Sequence, residues 1–234
     1  MQLELNKRPK NVTIIEGFPG LGLVGTIVTG FLIEHLKAKS IGRIWSHKLM
    51  PVVAIHEGEA IEPLEIFYSK KYNIVIINAL SNVAGLEWEL SQIISELSQK
   101  LTAKEVISIE GVGSQSKTSR TFYFTNSEKK KKLFKKINVE ELKEGIAMGV
   151  TAALLLKLKK TPHSCIFAET HSKLPDSRAA AEVIKVLDNS LNLKIDYKPL
   201  IKKAEEFESK LQGLAKQSQK AIKGKRDSTL DYLG

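Results

Sequence analysis

Glu16-Gly17-Phe18-Pro19-Gly20-Leu21-Gly22-Leu23-Val24-Gly25 is the stretch that decides the fold of this 234-residue chain. It follows the β-branched run 12–15 and leads into apolar residues that recur at three- and four-residue spacing as far as Leu36. This pattern predicts a strand, a glycine-rich turn and a helix. A strand that enters a helix in this way indicates the first unit of an α/β fold.

The same alternation continues outward from this unit. Short apolar runs predict strands at 41–45, 52–55, 64–68, 74–77, 106–109, 120–124 and 164–168. Helical spacing predicts helices at 86–101, 128–136, 146–159 and 180–191, the last with Asp176 as a candidate N-cap. Because the run 74–77 is apolar on both faces, it indicates a central parallel strand. We therefore predict an α/β class with a mostly parallel central sheet flanked by helices.

Composition excludes several classes of protein. Hydrophobic residues make up 42% of the chain and charged residues 26%, with 15 Gly and 7 Pro, which excludes disordered and collagen-like chains. The single Cys165 excludes a disulfide framework within the chain and favours a reducing cytoplasm. The first eight residues lack the pattern of a secretory signal, and the apolar stretch 145–156 is too short to span a membrane.

Positive charge is concentrated in two segments. The chain has a net charge of +10, and residues 128–136 carry six lysines against one glutamate. Residues 198–226 carry nine basic residues against three glutamates, so the rest of the chain is nearly neutral. We interpret both segments as solvated faces or contacts with acidic proteins, and we do not expect nucleic acid as a partner, although the lysine run leaves that class open.

The glycine turn also matches the dinucleotide-binding pattern G-x-G-x-x-G. That fingerprint requires an acidic residue at the end of the second strand, whereas residues 44–48 are Ile-Trp-Ser-His-Lys. We therefore favour a structural turn, with anion binding at the helix N-terminus and dinucleotide binding as alternatives. The residues assigned to this structural turn are Gly17, Pro19, Gly20, Gly22 and Gly25. A second turn at 111–113 follows another strand, so both turns could border one crevice for a nucleotide or nucleoside.

No catalytic or metal-binding set can be assembled from the remaining residues. His56-Glu57 lacks the second histidine of a zincin motif, and His171, Ser172 and Asp176 lie too close along the chain to form a hydrolytic triad. Cys165 is best interpreted as a small buried hydrophobic residue. We expect a protein that is not an enzyme and needs no cofactor or metal.

The C-terminal part of the chain differs from the rest. Leu200, Ala204, Phe207, Leu211, Leu214, Ser218 and Ala221 alternate at spacings of four and three residues. Such a stripe predicts a helix that packs on a partner helix or on its own domain. The predicted organisation is an α/β domain over 1–197, a helical arm over 198–222 and a flexible tail over 223–234. Within the arm we expect Leu200, Phe207, Leu211 and Leu214 to make the oligomer or helix contacts.

Several segments together resemble the proteasome assembly chaperone family, particularly its archaeal members. They are the opening 17–25, Glu110-Gly111-Val112-Gly113, 145–149, Cys165-Ile166-Phe167-Ala168-Glu169-Thr170 and the turn Pro175-Asp176, within a likeness that covers about residues 10–205. The resemblance implies a nucleoside-phosphorylase-like α/β body, no established catalytic residues and assembly into homo-oligomers. It also implies action on the proteasome α subunits through a C-terminal tripeptide of hydrophobic residue, tyrosine and any residue.

In this sequence the corresponding tip is Tyr232-Leu233-Gly234, so the tyrosine is third from the end. We assign Leu230, Tyr232, Leu233 and Gly234 as the partner-binding residues that the resemblance implies. The resulting hypothesis is a non-enzymatic cytoplasmic protein that forms a homo-oligomer, with a ring as the expected form, and engages the proteasome α subunits or α ring. The alternative hypothesis is a nucleotide- or nucleoside-binding enzyme that uses the two glycine turns.

Overall fold

A computed structural model describes residues 1–56, 58–114, 120–170, 174–197 and 201–202. Nine strands form one sheet in the order β1-β3-β6-β7-β2-β8-β11-β9-β10, and β4 and β5 form a separate hairpin. The strands are β1 Gln2–Leu5, β2 Thr13–Gly17, β3 Lys39–Trp45, β4 Ala54–His56, β5 Glu59–Ile61, β6 Leu64–Ser69, β7 Ile74–Ala79, β8 Glu105–Gly113, β9 Thr121–Thr125, β10 Glu140–Glu141 and β11 His163–Thr170.

The centre of the sheet is parallel. β2 pairs in parallel with β7 on one side and with β8 on the other, and β8 pairs in parallel with β11. Ile15 is opposite both Ile76 and Ile107 in this register. Antiparallel pairings add β6, β3 and β1 beyond β7, and β9 beyond β11. Every residue of β7 and β11 is buried, as expected for strands covered on both faces.

Helices cover both faces of the sheet. They are α1 Val24–His35, α2 Glu87–Lys100, α3 Glu128–Lys136, α4 Gly149–Lys157 and α5 Ser177–Leu191. One hydrophobic core contains residues of α1, α3 and α5, and the other contains residues of α2 and α4. The predicted cap of α5 is present, since Asp176 Oδ1 accepts a hydrogen bond of 2.9 Å from the Ala179 N–H.

The predicted α/β class with a parallel centre and flanking helices is confirmed, and the nucleoside-phosphorylase-like description stays a prediction. Two boundaries are corrected. Val52 and Val53 are exposed and precede the strand, which begins at Ala54, because no neighbouring strand pairs with them. Ile146 precedes its helix, which begins only at Gly149, where a φ of 69° turns the chain. The short strands β1, β5 and β10 are additions that the apolar pattern did not indicate.

The direction of the four central strands defines two edges of the molecule. We call the edge where β2, β7, β8 and β11 end the carboxyl edge, and the opposite edge the amino edge. Helices α1, α2, α4 and α5 connect back from the carboxyl edge to the amino edge, so their N-termini lie with the strand ends. The predicted arm and tail lie outside the described residues, except for Ile201 and Lys202.

Candidate functional site

The glycine turn brings strand β2 and helix α1 into backbone contact at the carboxyl edge. A Cβ atom added to Gly17 would lie 2.7 Å from the Gly25 Cα, and one added to Gly25 would lie 2.8 Å from the Gly17 Cα. Real Cβ atoms do not approach other heavy atoms so closely. Gly17 and Gly25 therefore permit a helix–strand approach that any larger residue would prevent.

The two glycine turns pack directly against each other. A Cβ atom on Gly111 would overlap the Leu21 carbonyl oxygen. Gly22 has a φ of 64°, and a Cβ atom there would lie 2.6 Å from Thr170 Oγ1. The Asp176 N–H donates a hydrogen bond of 2.8 Å to the Gly22 carbonyl, which holds the turn against the start of α5. The turns do lie together, as the sequence indicated, and they are in direct contact with each other. Half-buried Pro19 and exposed Gly20 complete the turn.

We predict that Gly17→Ala lowers the free energy of unfolding by several kcal/mol, on the order of a severe core substitution, because the added methyl group meets backbone atoms. Gly30→Ala in α1 is the matched control, since a Cβ there has no neighbour within 4 Å. The control should be neutral or stabilising by up to about 1 kcal/mol, the helix propensity difference. Urea unfolding measures the free energy of unfolding of both variants. An equal loss of stability in the two variants would contradict the packing role of Gly17.

A buried polar cluster lies beneath the turn, on the face that α2 and α4 cover. Glu16, Ser108 and His163 are each at most 1% exposed. The Ser108 hydroxyl lies 2.8 Å from His163 Nε2, and Cys165 Sγ lies 3.7 Å from the same nitrogen. On the adjoining position of β8, Glu110 accepts a hydrogen bond of 2.7 Å from the Thr151 hydroxyl of α4. The strand register brings these side chains together from β2, β8 and β11.

The arrangement does not support hydrolytic chemistry. A serine nucleophile needs access to substrate and a histidine that a third group orients. Ser108 has no exposed surface, and His163 Nδ1 has no hydrogen-bond partner among the described residues. Burial lowers the pKa of His163 to about 4, so the imidazole is neutral at physiological pH. Cys165 has a pKa raised well above its ordinary value by burial, which keeps the thiol protonated.

Glu16 is a carboxylic acid placed in a hydrophobic core. Both of its side-chain oxygens lack a hydrogen-bond partner among the described residues. Burial raises the pKa of Glu16 from 4.5 to about 8. The neighbouring Ser108 hydroxyl partly opposes this rise, and the charge of Glu110 adds a smaller contribution to it. Glu16 is therefore protonated at neutral pH in the folded protein and ionised in the unfolded chain, which makes folding depend on pH.

We predict that Glu16→Gln stabilises the protein progressively as the pH rises from 4.5 to 8. Across this range the unfolded wild-type chain releases the Glu16 proton while the folded protein retains it, so wild-type stability falls with rising pH and then levels off. Glutamine cannot ionise, so the difference should approach a limit of about 5 kcal/mol above pH 8. Urea unfolding at several pH values measures it, with the exposed Glu144→Gln as control. A difference between Glu16→Gln and wild type that does not change with pH would contradict the assignment.

Exposed apolar side chains surround the carboxyl edge. Ile146 is 89% exposed, Ile55 77% and Met148 74%. We call the following set the apolar rim: Met50, Val53, Ile55, Trp88, Ile146 and Met148. A cluster of large exposed apolar residues is uncommon on a monomer and indicates a protein contact.

Local contacts place the parts of the apolar rim near one another. Trp88 is in the first turn of α2, and α2 packs along α4, which Met148 immediately precedes. The loop that carries Met50 is tied to α2 because Lys48 forms a salt bridge with Glu89. The rim therefore extends from the β3–β4 loop across the N-termini of α2 and α4.

Sequence analysis did not identify the apolar rim or the buried cluster. Ile146 and Met148 lie in the run predicted as a helix, and Val53 lies in one predicted as a strand, and neither pattern distinguishes core from surface. Glu16 and Ser108 stand alone within their apolar runs, and only the strand register places them side by side. The assigned arm contacts Leu200, Phe207, Leu211 and Leu214 and the assigned tail residues Leu230, Tyr232, Leu233 and Gly234 lie outside the described residues.

Among the residues that the structure describes, no helix combines the length and the apolarity needed to cross a bilayer. The same residues contain no group of three or more histidine, cysteine, aspartate or glutamate side chains arranged to hold a metal ion.

The carboxyl edge thus combines a packed glycine turn, a polar cluster closed to solvent and an exposed apolar rim. The chain belongs to the PAC2 family, which matches residues 14–215. It is similar to Pyrococcus furiosus PbaA, described as an archaeal homolog of proteasome-assembly chaperone, with 32% identity and a TM-score of 0.83. That match covers 94% of this chain and 98% of PbaA.

Two further relatives extend the comparison. Pyrococcus furiosus PbaB, described as an archaeal proteasome activator, shares the fold with a TM-score of 0.77 and 24% identity, over 92% of this chain and 98% of PbaB. An uncharacterized protein of Methanocaldococcus jannaschii is 29% identical over 226 residues, which is 96% of this chain and 94% of the relative. The family match confirms the resemblance to proteasome assembly chaperones and the prediction that the chain is not an enzyme.

Proposed function

We propose that this protein is a proteasome assembly chaperone or proteasome-binding factor that forms homo-oligomers and engages the proteasome α subunits. The observation that carries the proposal is the similarity to PbaA over nearly the whole of both chains, at 32% identity. Similarity of this extent includes the glycine turn, the sheet and both helical layers. The proposed setting is the cytoplasm, and the proposed activity requires no cofactor.

The geometry of the carboxyl edge supports a binding role over a catalytic one. Leu21 of the glycine turn packs on Gly111, Thr170 packs on Gly22, and the polar cluster beneath the turn is closed to solvent. The apolar rim lies at the same edge and offers surface that a second copy of the chain would bury. We assign the rim to the homo-oligomer contact and the C-terminal tail to the contact with α subunits. Several tails on one oligomer would act together and raise the apparent affinity.

We predict that native mass spectrometry detects a defined homo-oligomer that gains mass when α subunits from the same source are added. Removal of residues 224–234 should leave the homo-oligomer intact and weaken α-subunit binding at least tenfold, because the avidity of several tails is lost. Tyr232→Ala in the full chain is the finer variant, and Thr229→Ala is its control. If the truncated protein binds α subunits as well as the full chain does, the tail mechanism is wrong.

We predict that Ile146→Asp with Met148→Asp dissociates the homo-oligomer, because each charge would have to be buried in the apolar rim contact. Both side chains are more than 70% exposed, so the protomer should still fold. Leu156→Asp is the matched control: this residue is also on α4 and 60% exposed, but it lies at the amino end of the sheet. Light scattering measures the mass, and an unchanged oligomer in the rim variant would remove the rim from the interface.

A further inference from the structure

Lysines converge on the amino edge from parts of the chain that are far apart in sequence. Each of the four central strands is preceded by a loop that carries exposed lysine. These lysines are Lys10 before β2, Lys70 and Lys71 before β7, Lys104 before β8, and Lys159 and Lys160 before β11. Lysines that lie apart in the sequence, outside the two strongly basic segments, are therefore collected at one edge, next to the lysine-rich helix α3.

A groove of about 570 Å³ opens at this edge between α3 and the end of α5. Lys129, Lys132 and Lys136 line it from one face of α3, at positions i, i+3 and i+7. Leu133 and Pro162 contribute apolar surface between these charges. A groove of this kind combines an apolar floor with a cationic wall, and lysine stems extend the apolar surface beneath their charged ends.

Glu105 adds a buried hydrogen-bond acceptor to the floor of the groove. Its side chain is 5% exposed, and Oε1 accepts a hydrogen bond of 2.6 Å from Lys130 Nζ. Oε2 has no hydrogen-bond partner among the described residues. A buried carboxylate oxygen without a donor is costly, so a ligand that supplies an N–H group there would be favoured.

We propose that this groove binds an acidic, partly apolar peptide segment of a partner protein. Carboxylates of the segment pair with Lys129, Lys132 and Lys136, an apolar side chain lies on Leu133, and a main-chain N–H donates to Glu105 Oε2. The lysines that precede the central strands attract the segment over a longer range. This site is separate from the apolar rim and the tail, and it does not depend on the proposed action on α subunits.

The chemistry of the groove favours a peptide over a nucleic-acid backbone. Phosphodiesters carry no hydrogen-bond donor that could pair with Glu105 Oε2, whereas a peptide main chain does. The groove wall is made of lysines, and among the residues that the structure describes, neither arginine nor an aromatic ring lines it for reading or stacking on bases. The basic segment 198–226 of this chain has the wrong charge to occupy it. An acidic segment of another protein satisfies the lysines, the apolar floor and the orphan acceptor together.

The test uses the full chain and three fluorescent probes of equal negative charge in an anisotropy titration at 50 mM and 300 mM salt. The first is a peptide of alternating Glu-Glu and Leu-Leu pairs, the second is oligo-glutamate and the third is single-stranded oligo-thymidine. The groove variant carries Lys129→Glu together with Lys132→Glu. Lys7→Glu with Lys143→Glu is the control, because it changes the net charge equally at exposed positions outside the groove.

We expect the Glu-Leu peptide to bind at least fivefold more tightly than oligo-glutamate, with the groove variant weakening it at least tenfold and the control less than twofold. Absence of peptide binding at 50 mM salt would overturn the proposal. Equal losses in both variants would also overturn it, because they indicate long-range charge without a groove. Tighter binding of oligo-thymidine than of the peptide would assign the edge to nucleic acid instead.

Discussion

The contact between Gly17 and Gly25 is the constraint on which the rest of the structure depends. It sets how closely the first helix approaches the central strand β2, and β2 is the strand around which the parallel pairs form. With α1 in this position, the Leu21 carbonyl reaches Gly111 of the neighbouring strand, and Gly22 reaches Thr170 and the N-cap of α5. One close approach therefore aligns three strand ends and two helices at the carboxyl edge.

A second constraint is polar and lies on the other face of β2. Glu16 is the residue immediately before Gly17, so the chain cannot bring the glycine turn into place without carrying a carboxyl group into the core. In the core, the Glu16 carboxyl group is a neutral acid beside Ser108 and His163, which are also uncharged at neutral pH. Burial thus converts what could be titrating or reactive groups into a closed, neutral layer, and the binding surfaces lie elsewhere.

The two edges of the sheet differ in chemistry because of the topology. Loops at the carboxyl edge are long, and they place the apolar rim where helices α2 and α4 begin. The amino-edge loops before β8 and β11 each join the end of a helix to the start of a strand, and their lysines are favourable beside the negative end of that helix. The proposed homo-oligomer contact and the proposed groove for an acidic peptide therefore lie at opposite edges of the sheet and would not compete.

Much of the fold was determined by the sequence alone. The sequence predicted an α/β sheet from the apolar runs of β2, β7, β8 and β11 and from the periodicity of α1, α2 and α5. A strand that is buried on both faces is apolar throughout, whereas a helix that is buried on one face is apolar at every third or fourth residue. The opening 17–25, together with the other segments quoted for the resemblance, indicated the family. Only the tertiary structure decided where the sites lie. Ile146 and Val53 carry an apolar signal that does not distinguish core from surface, and the amino-edge lysines become neighbours through strand order. Likewise, Glu16, Ser108 and His163 meet through register, which depends on long-range pairing that no short stretch of sequence specifies.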